Sequence, residues 1–123
     1  MHLSGTTFDH AVDPMVGTFT WEGQVPSVGS VLWQITMRSG DGNTVRFLGY
    51  KIVDGEPSAQ FVFDLGGAWQ ANPQHDAVLE RNRLTARFNP LALQGMGDDW
   101  TWDAVLNVNG DDVDGVEGRP QTP

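Results

Sequence analysis

The sequence predicts an all-β domain: a mostly antiparallel β-sandwich, immunoglobulin-like or jelly-roll-like, of about seven or eight strands, with a closed β-barrel as the alternative. Three observations carry this. Apolar residues recur with a period of two in segment after segment. The 15 Gly and 7 Pro are spread through 123 residues, so no segment runs long. No helical period is sustained over three turns.

In chain order, Gly17, Phe19 and Trp21 alternate with polar neighbours and form the first strand. The clearest strand is Ser30–Arg38, where Val31, Trp33, Ile35 and Met37 share one side. Ser39-Gly40-Asp41-Gly42-Asn43 then reads as a hairpin turn, because Asp-Gly and Asn tolerate positive φ. Over 44–53, Val45 and Phe47 lie on one face and Leu48, Tyr50 and Ile52 on the other. A strand apolar on both faces is expected at the centre of a sheet. Asp54-Gly55-Glu56-Pro57 turns the chain, and Ala59, Phe61, Phe63 and Leu65 line one face of the next strand. After Gly66-Gly67 a short strand covers 68–72. Residues 77–81 and 83–88 pair around Asn82, and 91–96 is the one helical turn. The last strand, 99–108, places Trp100, Trp102, Ala104, Leu106 and Val108 on one side. One domain is expected over 14–117, with 1–13 and 118–123 as loose ends.

Composition limits function. The hydrophobic fraction is 39% and the charged fraction 19%, which is globular rather than disordered. The absence of cysteine excludes disulfides, thiolate zinc sites and iron–sulfur clusters. Sixteen acidic residues against seven basic give a formal charge of −9, a surface that repels phosphate backbones, so nucleic acid is not an expected partner. A neutral or cationic ligand is expected instead. No run reaches the ~18 apolar residues that span a bilayer. Met1-His2-Leu3-Ser4-Gly5 shows neither the basic start nor the apolar stretch of a leader. The expected compartment is therefore extracytoplasmic if a leader has been removed, and otherwise cytoplasmic.

Two clusters are candidate sites. Trp69 follows two glycines and precedes Gln70, Asn72 and His75. An indole beside amides suits a sugar, whose apolar face stacks on the ring while polar groups take its hydroxyls. Trp100, at the entrance of its strand, is a candidate for the same platform. Burial of Trp69 against the core is the alternative. The second cluster is Asn107, Asn109, Asp111, Asp112, Asp114 and Glu117, threaded with Gly110 and Gly115. Oxygen ligands on a glycine-bent loop suit a structural calcium, with Asp111, Asp112 and Asp114 as the ligands, although the spacing is not that of an EF-hand. A solvated acidic turn has the same composition.

Catalytic patterns are missing. No nucleophile-elbow sequence accompanies a serine, and His75-Asp76 with Glu80 would make half a metal site at most. Glycine-rich phosphate loops are absent. Asp64, Asp99 and Asp103 are candidates for a facing carboxylate pair, whose separation sequence does not fix.

The stretches Gly49-Tyr50-Lys51-Ile52-Val53-Asp54-Gly55, Ala59-Gln60-Phe61-Val62-Phe63-Asp64, Trp100-Thr101-Trp102-Asp103-Ala104 and Gly110-Asp111-Asp112-Val113-Asp114, in that order, resemble β-rich domains of uncharacterised exported proteins and lipoproteins of actinobacteria. The resemblance implies an extracytoplasmic β-sandwich. The tryptophans and acidic loops are also similar, more weakly, to carbohydrate-binding sandwiches. The function expected is a non-enzymatic binding or interaction module, with carbohydrate as ligand or a protein as partner. The alternatives are a lipocalin-like barrel around a small apolar ligand, or a structural subunit pairing with another chain. An enzyme ranks last, and the oligomeric state is not fixed.

Overall fold

The computed structural model describes residues 1–12, 14–66, 69–71 and 77–118. Ten strands form within them: β1 (His2–Asp9), β2 (Met15–Glu22), β3 (Ser30–Arg38), β4 (Val45–Val53), β5 (Glu56–Asp64), β6 (Trp69–Ala71), β7 (Ala77–Leu79), β8 (Arg83–Phe88), β9 (Thr101–Val108) and β10 (Asp111–Gly118). The helical turn expected over 91–96 is a 3-10 turn at Pro90–Leu93. The strands build a four-stranded sheet in the order β1-β2-β8-β7 and a six-stranded sheet in the order β10-β9-β3-β4-β5-β6. Every pairing is antiparallel. Neither sheet closes on itself, so the molecule is a sandwich and the barrel alternative falls. No helix among the described residues is long and apolar enough to cross a membrane.

Period-two alternation explains the core. Met15, Phe19 and Trp21 of β2, and Leu84, Ala86 and Phe88 of β8, face Val31, Trp33, Ile35 and Met37 of β3 and Trp102, Ala104 and Leu106 of β9. Leu48, Tyr50 and Ile52 complete the inner face of β4. Gln60 is the polar intruder from β5, only 1% exposed, and its Nε2 donates to the Arg87 carbonyl at 2.7 Å across the gap between the sheets. Trp21, Trp33 and Trp102 bury their indole N–H groups without an acceptor. An orphaned donor costs ~1–3 kcal/mol. Burying a ring of about 150–250 Å² returns roughly 4–6 kcal/mol at ~25 cal/mol/Å², so burial wins.

Two segments differ from the sequence expectation. Residues 2–9, read as part of a loose end, form β1, and Leu3 and Phe8 enter the core. Their spacing of five breaks strict alternation because the pairing of β1 with β2 shifts between Leu3 and Gly5. Residues 111–118, read as an acidic loop and the start of a loose end, form β10 against β9. Residues 119–123 lie outside the described residues.

The central position of β4 agrees with its two apolar faces, but its outer face is covered from within the sheet. Phe61 of β5 lies flat over Gly49, where any Cβ would collide with the ring. Phe47 and Phe63 stack beside it, centroids 6.1 Å apart and planes 17° apart. The phenylalanines of β5 therefore face outward, and Gln60 and Val62 face the core.

Candidate functional site

The β2–β3 connection, the β4–β5 turn and the β7–β8 turn converge at one end of the sandwich. Two-residue turns fix two hairpins there. Asp54-Gly55 joins β4 to β5 with φ of 51° and 80°, and Asn109-Gly110 joins β9 to β10 with φ of 54° and 89°. Positive φ at both central residues is the type I′ geometry that matches strand twist, and Asx-Gly is its preferred sequence.

Both turns grip the end of the β2–β3 connection. Gly29 N–H donates to Asp54 Oδ1 at 2.7 Å, and Asp54 N–H donates to the Gly29 carbonyl at 2.8 Å. Ser30 N–H donates to Asn109 Oδ1 at 3.0 Å, and Asn109 N–H returns to the Ser30 carbonyl at 2.9 Å. Gly29 has φ of 91°, and a Cβ there would strike the Asn109 side chain, so glycine is required twice over. On the opposite sheet Asn82 ties the connection's other end. Its Nδ2 donates to the carbonyls of Trp21 at 2.9 Å and Gly23 at 3.1 Å, and its own carbonyl accepts from Trp21 N–H at 3.2 Å.

Between these anchors lies a cleft of about 630 Å³ lined by Gly23–Ser27, Gly55 and 79–82. That volume is in the range of small-ligand sites, ~300–1,000 Å³. Val25, Pro26 and Leu79 give it apolar surface; Gln24, Ser27, Glu80 and Arg81 give it polar groups. Glu80 is engaged by Arg83, which donates from Nη2 to Oε1 and Oε2 at 2.7 and 3.0 Å and from Nε to Oε1 at 3.0 Å. Gln24, Ser27 and Arg81 are exposed. Loops carried on a rigid sandwich are where binding residues concentrate.

The sequence-derived candidates are placed elsewhere. Trp69 and Gln70 lie on edge strand β6, opposite Asp64 and Phe63, and their side chains lie outside what the structure describes. Asn72 and His75 lie outside the described residues. Trp100 is 6% exposed and packs edge-on against Phe8 and His10, with centroids 6.2 and 5.0 Å away. It sits at the opposite end of the sandwich from the cleft. Asp111 and Asp112 are exposed at the start of β10, with Asp112 Oδ1 accepting from Asn107 Nδ2 at 2.9 Å. Asp114 pairs with Leu106 after a register shift, and its side chain is outside the description. Among the described residues no three His, Asp or Glu side chains gather as metal ligands. Asp64 is held by Arg46 at 2.8 Å, Asp103 by Arg38, and the Asp99 carboxylate rests over Gly40.

Sequence reasoning missed the cleft itself. The available signal was the 23–29 segment, a Gly- and Pro-bounded connection too long for a hairpin and therefore a crossing between sheets. The chain matches no family model, no curated protein and no solved structure.

Proposed function

We propose that the protein is a non-enzymatic binding module that holds a saccharide in the loop-end cleft. The observation that supports this is the cleft's construction: a ~630 Å³ opening with apolar walls and uncommitted polar side chains, on a frame fixed by the Asp54, Asn82 and Asn109 hydrogen bonds. A preformed frame limits the ordering cost of binding. Val25, Pro26 and Leu79 offer surface to the C–H face of a sugar, and Gln24 and Ser27 offer hydrogen bonds to its hydroxyls. Against a catalytic role, Glu80 is the one carboxylate among the described lining residues, and it is paired with Arg83. Two facing carboxylates are needed for glycoside hydrolysis.

Calorimetric titration with a panel of neutral and acidic oligosaccharides tests the reading. Saturable binding to the native protein, lost in Ser27→Trp where a bulky ring fills the cleft, is the expected result. Heat of binding that survives Ser27→Trp unchanged, or none across the panel, overturns it.

A further inference from the structure

Resting on the reading of the cleft as a saccharide site, we infer that its ligand carries a single carboxylate and that Arg81 binds it. Whole-chain charge alone points the other way, since the chain carries −9. The cleft departs from that average. Its one carboxylate among the described lining residues, Glu80, has both oxygens taken by Arg83, so the pair is neutral. Arg81 beside it is exposed and forms no ion pair among the described residues. Arg38 and Arg46, by contrast, are committed to Asp103 and Asp64. The cleft therefore presents one uncompensated guanidinium.

The chemistry of that group selects the ligand. A guanidinium offers a planar fork of donors that fits the two oxygens of a carboxylate by parallel hydrogen bonds. Gln24 and Ser27, which form no hydrogen bond among the described residues, stand on the same walls to take hydroxyls. Range separates attraction from repulsion. Charges beyond the Debye length of ~8 Å at physiological ionic strength are largely screened, so a monoanion in contact with Arg81 feels the guanidinium far more than acids elsewhere on the chain. Asp54, beside the lining Gly55, has its Oδ1 engaged by Gly29 N–H. A phosphate monoester, with a charge of about −1.5 to −2 to place beside one cation, keeps an uncompensated remainder in the field of an acidic protein. One free cation matches one carboxylate, as on a uronic acid.

The test uses methyl galacturonoside and its methyl ester, which differ in one carboxylate alone, followed by amide NMR shifts and calorimetry on the intact chain. The acid is expected to bind about tenfold or more tighter than the ester, with shifts at 23–27 and 79–82. Arg81→Gln should remove that preference and Arg81→Lys restore part of it; Arg81 is exposed, so unchanged amide dispersion checks the fold. If acid and ester bind the cleft equally and Arg81→Gln changes neither, the carboxylate inference is overturned while the binding-module reading stands. Tighter binding of galactose 1-phosphate than of galacturonate also overturns it. If neither probe shifts a cleft amide, the inference falls, and the reading beneath it falls too where the oligosaccharide panel is also silent.

Discussion

At the end of the sandwich holding Phe8, His10, Trp100 and Trp102, aromatic side chains close the gap between the sheets; toward the other end the buried Trp21–Trp33 pair bridges them and hydrogen-bonded turns form the rim. The closed end is aromatic. Phe8 meets Trp102 edge-on at 5.9 Å and 82°, and His10 caps Trp100 at 5.0 Å and 74°. Arg46, on β4, completes the seal by reaching the 3-10 turn region: it pairs with Asp64 and donates to the carbonyls of Ala92, at 2.9 Å, and Gln94. Every one of these contacts uses up a side chain. At the cleft end, turn residues spend their hydrogen bonds on backbone groups, Asp54 with Gly29 and Asn109 with Ser30. The walls stay fixed while Gln24, Ser27 and Arg81 have no side-chain partner among the described residues. A binding site requires that combination of fixed backbone and uncommitted side chains.

The sharpest separation of the two ends comes from the aromatic seal. Phe8→Ala should cost ~3–5 kcal/mol, read from the urea midpoint at unchanged m-value. The cleft should still bind at temperatures where the variant is folded. Loss of binding by the folded variant would mean the ends are not independent. Arg46→Ala should cost about 2–3 kcal/mol, because a charge-assisted pair is lost and carbonyls are left without their donor. Its signature is faster amide exchange at Ala92 and Met96, whose N–H groups bond Asn89 and Leu93 within that region. At the cleft end, Asn109→Ala should cost about 1–2 kcal/mol, combining a left-handed backbone without its preferred residue and a lost bond to Ser30. Exchange should rise at Ser30 and leave Ala92 unchanged.

The smallest effect concerns acid. Ser39 Oγ–H donates to Asp41 Oδ1 at 2.5 Å and Asn43 N–H donates at 2.9 Å, and these bonds hold the Asp41 carboxyl below its ordinary value. A depressed folded-state pKa stabilises at pH above the unfolded value, and that contribution is lost as pH falls through the folded one. Asp41→Asn should therefore show a shallower loss of stability in acid, in the window below the ordinary aspartate range, and no change in cleft binding.

How much of this was legible varies by element. β3 is readable to the residue, since Val31, Trp33, Ile35 and Met37 alternate without a break. The Asp54-Gly55 turn is equally plain. Asn109-Gly110 has the same chemistry, but Val113 and Val116 are the only apolar side chains among the acids and glycines after it, so composition hid β10 behind the look of a loop. β1 was hidden by its bulge, which moves Phe8 out of step with Leu3. Trp100 was readable as sharing a face with Trp102, but not as plugged by Phe8 and His10, because those partners sit at and just past the end of a strand the pattern did not reveal. Arg81 was invisible as a site residue for a similar reason. That it is free depends on Arg83 turning to Glu80 and on a crossing connection 55 residues earlier in the chain coming to rest beside it at Pro26.

The central claim is that ligand binds at the end of the sandwich whose rim is built of hydrogen-bonded backbone turns. The most direct measurement is an amide chemical-shift map of the labelled protein across the oligosaccharide panel. The account predicts saturable shifts concentrated at 23–27, Gly55 and 79–82, with Phe8, His10, Trp100 and Trp102 unmoved. Saturable shifts centred instead on the aromatic end, or on Phe47, Phe61 and Phe63 of the outer sheet face, would contradict it.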